Sequence, residues 1–135
     1  MEPLRGIRII EVTTNASGPL ATGILADQGA DVIRLETIGA GDPARHVGGS
    51  RGGVGAYHAQ MNRNKRSMSV DLKNPQLRGP LLRLIRTADV FVQNSRPGAL
   101  DRSGLGFHRR RRRLPGLLVR SVGRRNHREP RRPAG

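Results

Sequence analysis

An open, mainly parallel α/β sheet with flanking helices, of the Rossmann-like kind, is the fold this sequence predicts. A strand–helix–strand pattern occurs twice within the first 93 residues, and such units in tandem favour parallel pairing through right-handed crossovers. The chain has 135 residues, enough to bury one modest core and so to form one domain.

The first strand is Gly6-Ile7-Arg8-Ile9-Ile10-Glu11-Val12, short, rich in β-branched residues and bounded by Gly6 and the polar Thr13-Thr14-Asn15. A helix starts at Ser17-Gly18-Pro19, where Ser17 is placed to cap free N–H groups and Pro19 has its φ preset. Leu20, Ile24 and Leu25 form its apolar stripe and Gly29 ends it. Asp31-Val32-Ile33-Arg34-Leu35-Glu36 is the second strand. Residues 37–54 are glycine-rich without a sustained apolar period, so a long functional or mobile loop is expected there, followed by a short helix over 55–60. Met68, Val70 and Leu72 alternate with polar residues and predict a strand over 67–72; Pro75 then opens a helix with Leu77, Leu81, Leu82 and Ile85 on its apolar face. Asp89-Val90-Phe91-Val92-Gln93 closes the second unit as a strand.

The formal net charge is +15, but it is unevenly placed. Residues 1–107 hold 14 Lys+Arg against 9 Asp+Glu, whereas residues 108–135 hold 11 Arg against one Glu. Most of the excess belongs to the end of the chain, so the raw charge does not identify the partner of the folded part. Residues 108–135, with five consecutive arginines over 109–113 and a single apolar patch over 114–119, are expected to be disordered, because they bury too little to offset chain entropy. This tail would hold nucleic acid only non-specifically, through phosphates: the aromatics Tyr57, Phe91 and Phe107 all precede it. Without cysteine there are no disulfides, thiolate nucleophiles or cysteine-based zinc sites. His46, His58, His108 and His127 lack metal-ligand spacing and are read as surface or loop positions, so no metal is expected. No long apolar span is present, which sets the expectation of a cytoplasmic protein with no membrane partner.

Two clusters of donors point towards a function. Asn62 to Lys73 set Arg63, Lys65, Arg66 and Lys73 around the third strand, and Asn94-Ser95-Arg96-Pro97-Gly98 follow the fourth. In an open α/β sheet ligands sit at the carboxyl ends of strands, where helix N-termini offer N–H groups and partial positive charge. Residues 13–18 occupy that place after the first strand, although they carry neither the G-x-G-x-x-G dinucleotide spacing nor a Walker loop. Asn94 and Arg96 fall on the same edge, where Arg can fork onto a phosphate and Asn can bond an amide or ribose. A Lys-Arg pair alone is most simply a solvated basic face. Convergence of the segments is the stronger argument, and it reads as a grip on a phosphorylated handle.

With these pieces in place, residues 3–107 resemble the N-terminal part of family III CoA-transferases, the group that holds formyl-CoA and carnitine CoA-transferases and, more distantly, α-methylacyl-CoA racemases. The matching pieces are Pro3-Leu4-Arg5-Gly6-Ile7, Ser17-Gly18-Pro19, Leu25-Ala26-Asp27-Gln28-Gly29-Ala30-Asp31-Val32-Ile33, Gly41-Asp42-Pro43-Ala44-Arg45, Asn64-Lys65-Arg66-Ser67, Asp71-Leu72-Lys73, Ala88-Asp89-Val90 and Arg96-Pro97-Gly98, in the family's order and spacing. Tyr57 and the loop before Asn64 are more similar to the transferases than to the racemases.

The resemblance implies that coenzyme A, arriving as an acyl-CoA substrate, lies over this half of the molecule. Its contacts would be Ala16, Ser17, Thr37, Val70, Asp71, Leu72, Lys73, Asn94, Ser95, Arg96 and Arg102, several of them through backbone groups. Thr37 departs from members that place an Arg after the strand-ending Glu, which puts one adenine or phosphate contact in question. The resemblance also implies a carboxylic acid acceptor, an interlocked homodimer, and an aspartate nucleophile that opens the thioester to give a mixed anhydride and then an enzyme-bound CoA thioester. That aspartate lies beyond residue 135, so no catalytic residue is assigned. Glu11, Asp31 and Glu36 belong to strand ends, and Asp42 and Asp71 sit in family motifs without a nucleophile role.

Family members continue after Gly104-Leu105-Gly106 with an Ala-rich helix, where this chain has arginines. A run of CGC codons for Arg becomes GCC, Ala, one base later. A reading-frame shift near residue 107 would therefore explain the arginine run and give a truncated chain with an incomplete sheet: residues 1–107 from the family domain and 108–135 a tail. Two other readings stay open at this stage. One is a racemase-type isomerase on the same scaffold; the other is a basic nucleic-acid-binding protein, told apart by whether removing residues 108–135 abolishes salt-sensitive binding.

Overall fold

The computed structural model describes residues 2–39, 41–96, 98–105 and 118–121. In chain order the elements are β1 (Arg8–Val12), α1 (Ser17–Asp27), β2 (Asp31–Thr37), β3 (Ser50–Arg51), β4 (Val54–Gly55), α2 (Ala56–Met61), β5 (Arg66–Val70), α3 (Arg78–Arg86), β6 (Val90–Gln93), α4 (Ala99–Arg102) and β7 (Leu118–Ser121). Among the described residues five strands make one sheet in the order β5-β2-β1-β6-β7, with each neighbouring pair parallel. From β1 the chain winds outward through β2 to β5, then crosses back to β6 on the other side of β1. That reversal opens a crevice between β1 and β6 at their carboxyl ends, the usual ligand position in such sheets. The α/β, mainly parallel architecture is thus the one the sequence predicts.

Both sheet faces are covered. Ile9 and Ile10 are successive residues of β1, point to opposite faces, and are both buried. Ile10 joins Val12, Leu35, Val70, Leu81, Ile85, Phe91, Leu100 and Leu105 in one core, with α3 and α4. Ile9 joins Ala26, Ala30, Val32 and Val92 in the other, with α1.

Several elements depart from expectation. The buried side of α1 is Gly18, Pro19, Thr22, Gly23 and Ala26, while Leu20 and Ile24 are 39% and 45% exposed. Space is the reason: a Cβ on Gly18 would stand 2.5 Å from the Thr13 Cβ, and one on Gly23 would stand 2.8 Å from the Met61 carbonyl oxygen. Only small residues let α1 approach β1 and α2 this closely. Ser17 does not cap the helix; Ala16 is the N-cap residue and no side chain bonds there. Residues 37–54 hold a 3-10 turn, Pro43–His46, capped by Asp42, and the antiparallel β3/β4 hairpin. β5 ends at Val70, its one buried residue, because it is the sheet's outer strand. Within the stretch read as a tail, β7 pairs with β6 from Val90↔Leu118 to Gln93↔Ser121. The remainder of that stretch, with His108, His127 and the arginine run, lies outside the described residues.

These approaches set a contrast between two helical glycines. Gly23→Ala forces the α1/α2 contact apart and is expected to cost about 1–3 kcal/mol. Gly79→Ala on α3, where the nearest atom outside its chain neighbours is 3.8 Å away at the tip of Arg83, is expected to cost less than about 1 kcal/mol, because the gain in helix propensity offsets the strain that Pro80 puts on a Cβ before it. Urea unfolding midpoints decide it; equal effects at the two positions would contradict the packing described.

Candidate functional site

The carboxyl edge of the sheet collects the segments that the sequence singled out. β1 ends into residues 13–17, β2 ends at Thr37, β5 ends at Val70 before Asp71, Leu72 and Lys73, and β6 ends before Asn94, Ser95 and Arg96. Thr37 and Val70 are register partners, and the Ile38 N–H donates to the Val70 carbonyl at 3.4 Å. Across the crevice, the Asn94 Oδ1 accepts the Thr14 N–H at 2.9 Å and its Nδ2 donates to the Thr14 carbonyl at 2.8 Å. The Asp42 Oδ1 accepts the Asn15 N–H at 3.1 Å from the other side of the loop. Asp71 folds back to accept the Lys73 N–H at 2.9 Å, and Gln93 accepts the Ser95 N–H at 2.7 Å. Ser17, Thr37, Lys73, Arg96 and Arg102 are exposed and Ala16 is half-buried; Val70 is buried, which leaves its main chain to face a ligand. Arg102 lies on α4, with its guanidinium beside Gly98, whose Cβ position would be 3.7 Å from Nη1.

The rest of the basic run is used elsewhere, which corrects its reading as a phosphate grip. The Lys65 ammonium donates to the Glu11 Oε2 at 2.9 Å, the Pro19 carbonyl at 2.8 Å and the Asn62 Oδ1 at 3.0 Å, so its three protons are spent inside the protein. Burial lowers the Lys65 pKa, and the Glu11 charge opposes that shift. Arg63 pairs with Asp27. Arg66 forks onto Asp31 at 2.6 and 2.7 Å, and Arg8 meets the same carboxylate at 2.8 Å. Partial burial tends to raise the Asp31 pKa, but the hydrogen bonds from Arg8 and Arg66 together hold it below the usual range. Asp31 and Arg66 open β2 and β5, so this trio sits at the opposite edge of the sheet.

Beneath the carboxyl edge lies a buried ionic cluster. Glu11 and Arg34 are register partners on β1 and β2, 0% and 1% exposed at the side chain. Arg34 Nη1 reaches the Glu11 Oε1 at 3.2 Å and the Asn62 Oδ1 at 2.6 Å, and Nη2 bonds Asp42. Glu11 also accepts the hydroxyls of Thr13 and, at 2.7 Å, Thr22. Beside this pair, Arg45 grips Glu36 at 2.5 and 2.8 Å, and the Asp42 N–H donates to Glu36 at 2.7 Å. The Arg45 bond holds the Glu36 pKa at about 2, against the opposing effect of burial and with help from the Asp42 amide. His58 is buried here rather than at the surface, correcting its sequence reading. Burial lowers its pKa, and the charges of Arg45 and Arg34 add to that. Its Nε2 stands 3.9 Å from the Glu36 Oε2, and the Arg34 Nε stands 3.7 Å from the same oxygen. The clue was present in the sequence: a charged residue in mid-strand, among apolar neighbours buried on both faces, needs a partner within the fold.

Chemically, the carboxylates of this cluster are tied up in ion pairs, and the edge above them offers cations and main-chain donors. That is an anion-holding arrangement, without an assembled nucleophile and base among the described residues. These residues contain no group of three or more His, Asp or Glu able to hold a metal, and no helix long and apolar enough to cross a membrane.

The sequence description of CoA-transferase family III matches residues 4–124, a span that runs past Phe107 and takes in β7. Formyl-CoA:oxalate CoA-transferase of Afipia carboxidovorans is 40% identical over 120 residues, which cover 88% of this chain and 28% of that protein. Human succinyl-CoA:glutarate CoA-transferase is 41% identical over 108 residues, 79% of this chain and 25% of that protein. The crystal structure of the Mycobacterium tuberculosis protein Rv3272 superposes with a TM-score of 0.78 at 39% identity, covering 88% of this chain and 32% of that one. The chain thus spans between a quarter and a third of the length of the relatives it matches.

The ionic cluster dictates how stability responds to acid. His58 is held neutral by a lowered pKa, so the unfolded chain takes up this proton first and stability falls as pH drops below about 6.5. Glu36, lowered from 4.5 to about 2, contributes stability that is complete above the ordinary carboxylate value and is lost as pH falls from about 4.5 towards 2. His58→Gln should remove the first loss and keep the second, read from urea midpoints at about pH 7.5, 5.5 and 3.5. An unchanged profile in the variant would contradict the assignment.

Proposed function

Because the chain belongs to CoA-transferase family III, we propose that its carboxyl edge holds the nucleotide end of coenzyme A, and that the activity it serves moves CoA from an acyl-CoA thioester to a carboxylic acid. The observation that carries this reading is how the cations divide. Lys65, Arg63, Arg66, Arg8, Arg34 and Arg45 are all engaged with carboxylates of the fold, while among the described residues no ion pair engages Arg51, the α3 residues Arg78, Arg83 and Arg86, or the trio Lys73, Arg96 and Arg102. The trio lies at or beside the edge where such a sheet takes its ligand.

In this reading the phosphates of the coenzyme meet Lys73 as a point charge and Arg96 and Arg102 as planar forks. Main-chain groups of Ala16 and Ser17 at the head of α1, and of Val70, Asp71 and Leu72 after β5, supply neutral contacts, with the main chain of Asn94 and Ser95 closing the far side. Thr37 brings a hydroxyl to a place where a guanidinium would bind a further phosphate or stack on adenine. The acyl chemistry is assigned to an aspartate outside this chain: its carboxylate would attack the thioester carbonyl and release the CoA thiolate. The thiolate would then attack the resulting anhydride, free the first acid and leave an enzyme thioester for the acceptor carboxylate to open. A second copy of the chain would complete the assembly as an interlocked homodimer, as the family resemblance implies. The residues of this edge are therefore expected to bind CoA, and the transfer itself is assigned to none of them.

Lys73→Ala and Arg96→Ala are each expected to weaken CoA binding about tenfold, the low end for a charge-assisted hydrogen bond at an exposed site, with the circular dichroism spectrum unchanged. Isothermal titration measures it, and full affinity in both variants would remove the site from this edge.

A further inference from the structure

The loop between β1 and α1 is held from both sides, and the two holders differ in kind. Asn94 faces Thr14 with one acceptor and one donor, across 80 residues of sequence. The side chain makes the pair of bonds a neighbouring strand would make, and so extends the β1/β6 pairing past its last register pair, Val12↔Gln93. Asp provides no donor at neutral pH and Ser is too short to span both groups; an amide supplies both. On the other side, one oxygen of Asp42 accepts the Asn15 N–H at 3.1 Å while its second oxygen takes the buried Arg34 guanidinium. Between the holders Asn15 adopts φ 64, the left-handed region that Asn tolerates better than most residues. That turn delivers Ala16 and Ser17 to the start of α1, where no side chain caps the helix.

We infer that Asn94 is a positioning residue: its amide clamps the β1–α1 loop across the crevice, against Asp42 and the ionic cluster behind it, and so fixes the main-chain groups of Ala16 and Ser17 towards the ligand. Its place on the edge suggested a direct ligand contact, but its polar atoms are already turned onto Thr14. The affinity part of the inference rests on the reading of this edge as a coenzyme A site; the clamp itself does not.

Amide hydrogen exchange and CoA titration on the full chain separate the two. In Asn94→Ala the Thr14 amide is expected to exchange at least tenfold faster, the Ile10 amide at the centre of β1 to keep its rate, and the dissociation constant for CoA to rise about tenfold. Asn94→Asp keeps the size and the acceptor but turns a carboxylate oxygen towards the Thr14 carbonyl; protonation converts that oxygen into a donor. Its CoA affinity relative to the unsubstituted chain at the same pH should therefore recover as the pH is lowered from about 7 towards the ordinary carboxylate value of about 4, a reversal that simple destabilisation does not produce. Unaltered Thr14 exchange in Asn94→Ala overturns the clamp, and faster exchange with unaltered affinity overturns its positioning role. Faster exchange in a protein whose unsubstituted form binds no CoA upholds the clamp and overturns the coenzyme reading instead.

Discussion

The buried Glu11–Arg34 ion pair is the constraint around which the first half of this molecule is arranged. Two charges without access to water are tolerable only if nearly every lone pair and proton finds a partner, because the desolvation of each costs several kcal/mol. Glu11 meets that demand with Arg34, Lys65, Thr13 and Thr22. Arg34 adds Asp42 and Asn62. The pair and its partners come from β1, β2, α1, the turn before β3 and the segment between α2 and β5, so satisfying one pair fixes the relative placement of five pieces of chain. Removing one member would cost about 3–5 kcal/mol, a large share of the stability of a small domain. The pair also sets register: a one-residue slip of β2 would carry Arg34 to the opposite face of the sheet, into the apolar core.

Placement is what the cluster passes on to the surface above it. Asp42 is the link, with one oxygen on Arg34 and the other on the loop that leads into α1. Glu36 and Arg45 steady the same turn from below, through the Asp42 amide and the start of the glycine-rich stretch. Rigid support of this kind holds the loop between β1 and α1 in one place at the carboxyl edge of the sheet. Lys65 illustrates the division of labour. It stands eight residues before Lys73 in the same basic run, yet it is spent inside the cluster while Lys73 lies exposed at the edge.

Much of this was legible in the sequence, and the parts that were not share a cause. The strands announced themselves as β-branched runs between glycines and polar turns, and a turn that follows a strand lies at the carboxyl edge by topology alone. Residues 13–17, 70–73 and 94–96 could therefore be brought together without coordinates. Pairing between charges could not: Glu11 finds Arg34 23 residues away and Lys65 54 residues away, and nothing local distinguishes a lysine that will be buried from one that will face a ligand. The same holds for His58, whose burial depends on β2 and the turn at Pro43–His46. The helix α1 misled for a different reason. Its inward face is selected by how closely it approaches β1 and α2, so glycine, proline, threonine and alanine point in, Leu25 packs at the margin of the core, and Leu20 and Ile24 point out. β7 was missed because a four-residue strand beside an arginine-rich stretch carries little periodic signal.

The most direct test of the account is a backbone-amide NMR titration of the chain with coenzyme A. A coenzyme A site at the carboxyl edge predicts shifts confined there, at residues 14–18, 37–38, 70–73 and 94–96, with Arg8, Asp31 and Arg66 at the opposite edge unmoved. Shifts centred on that opposite edge, or none at millimolar CoA in a folded chain, would contradict it.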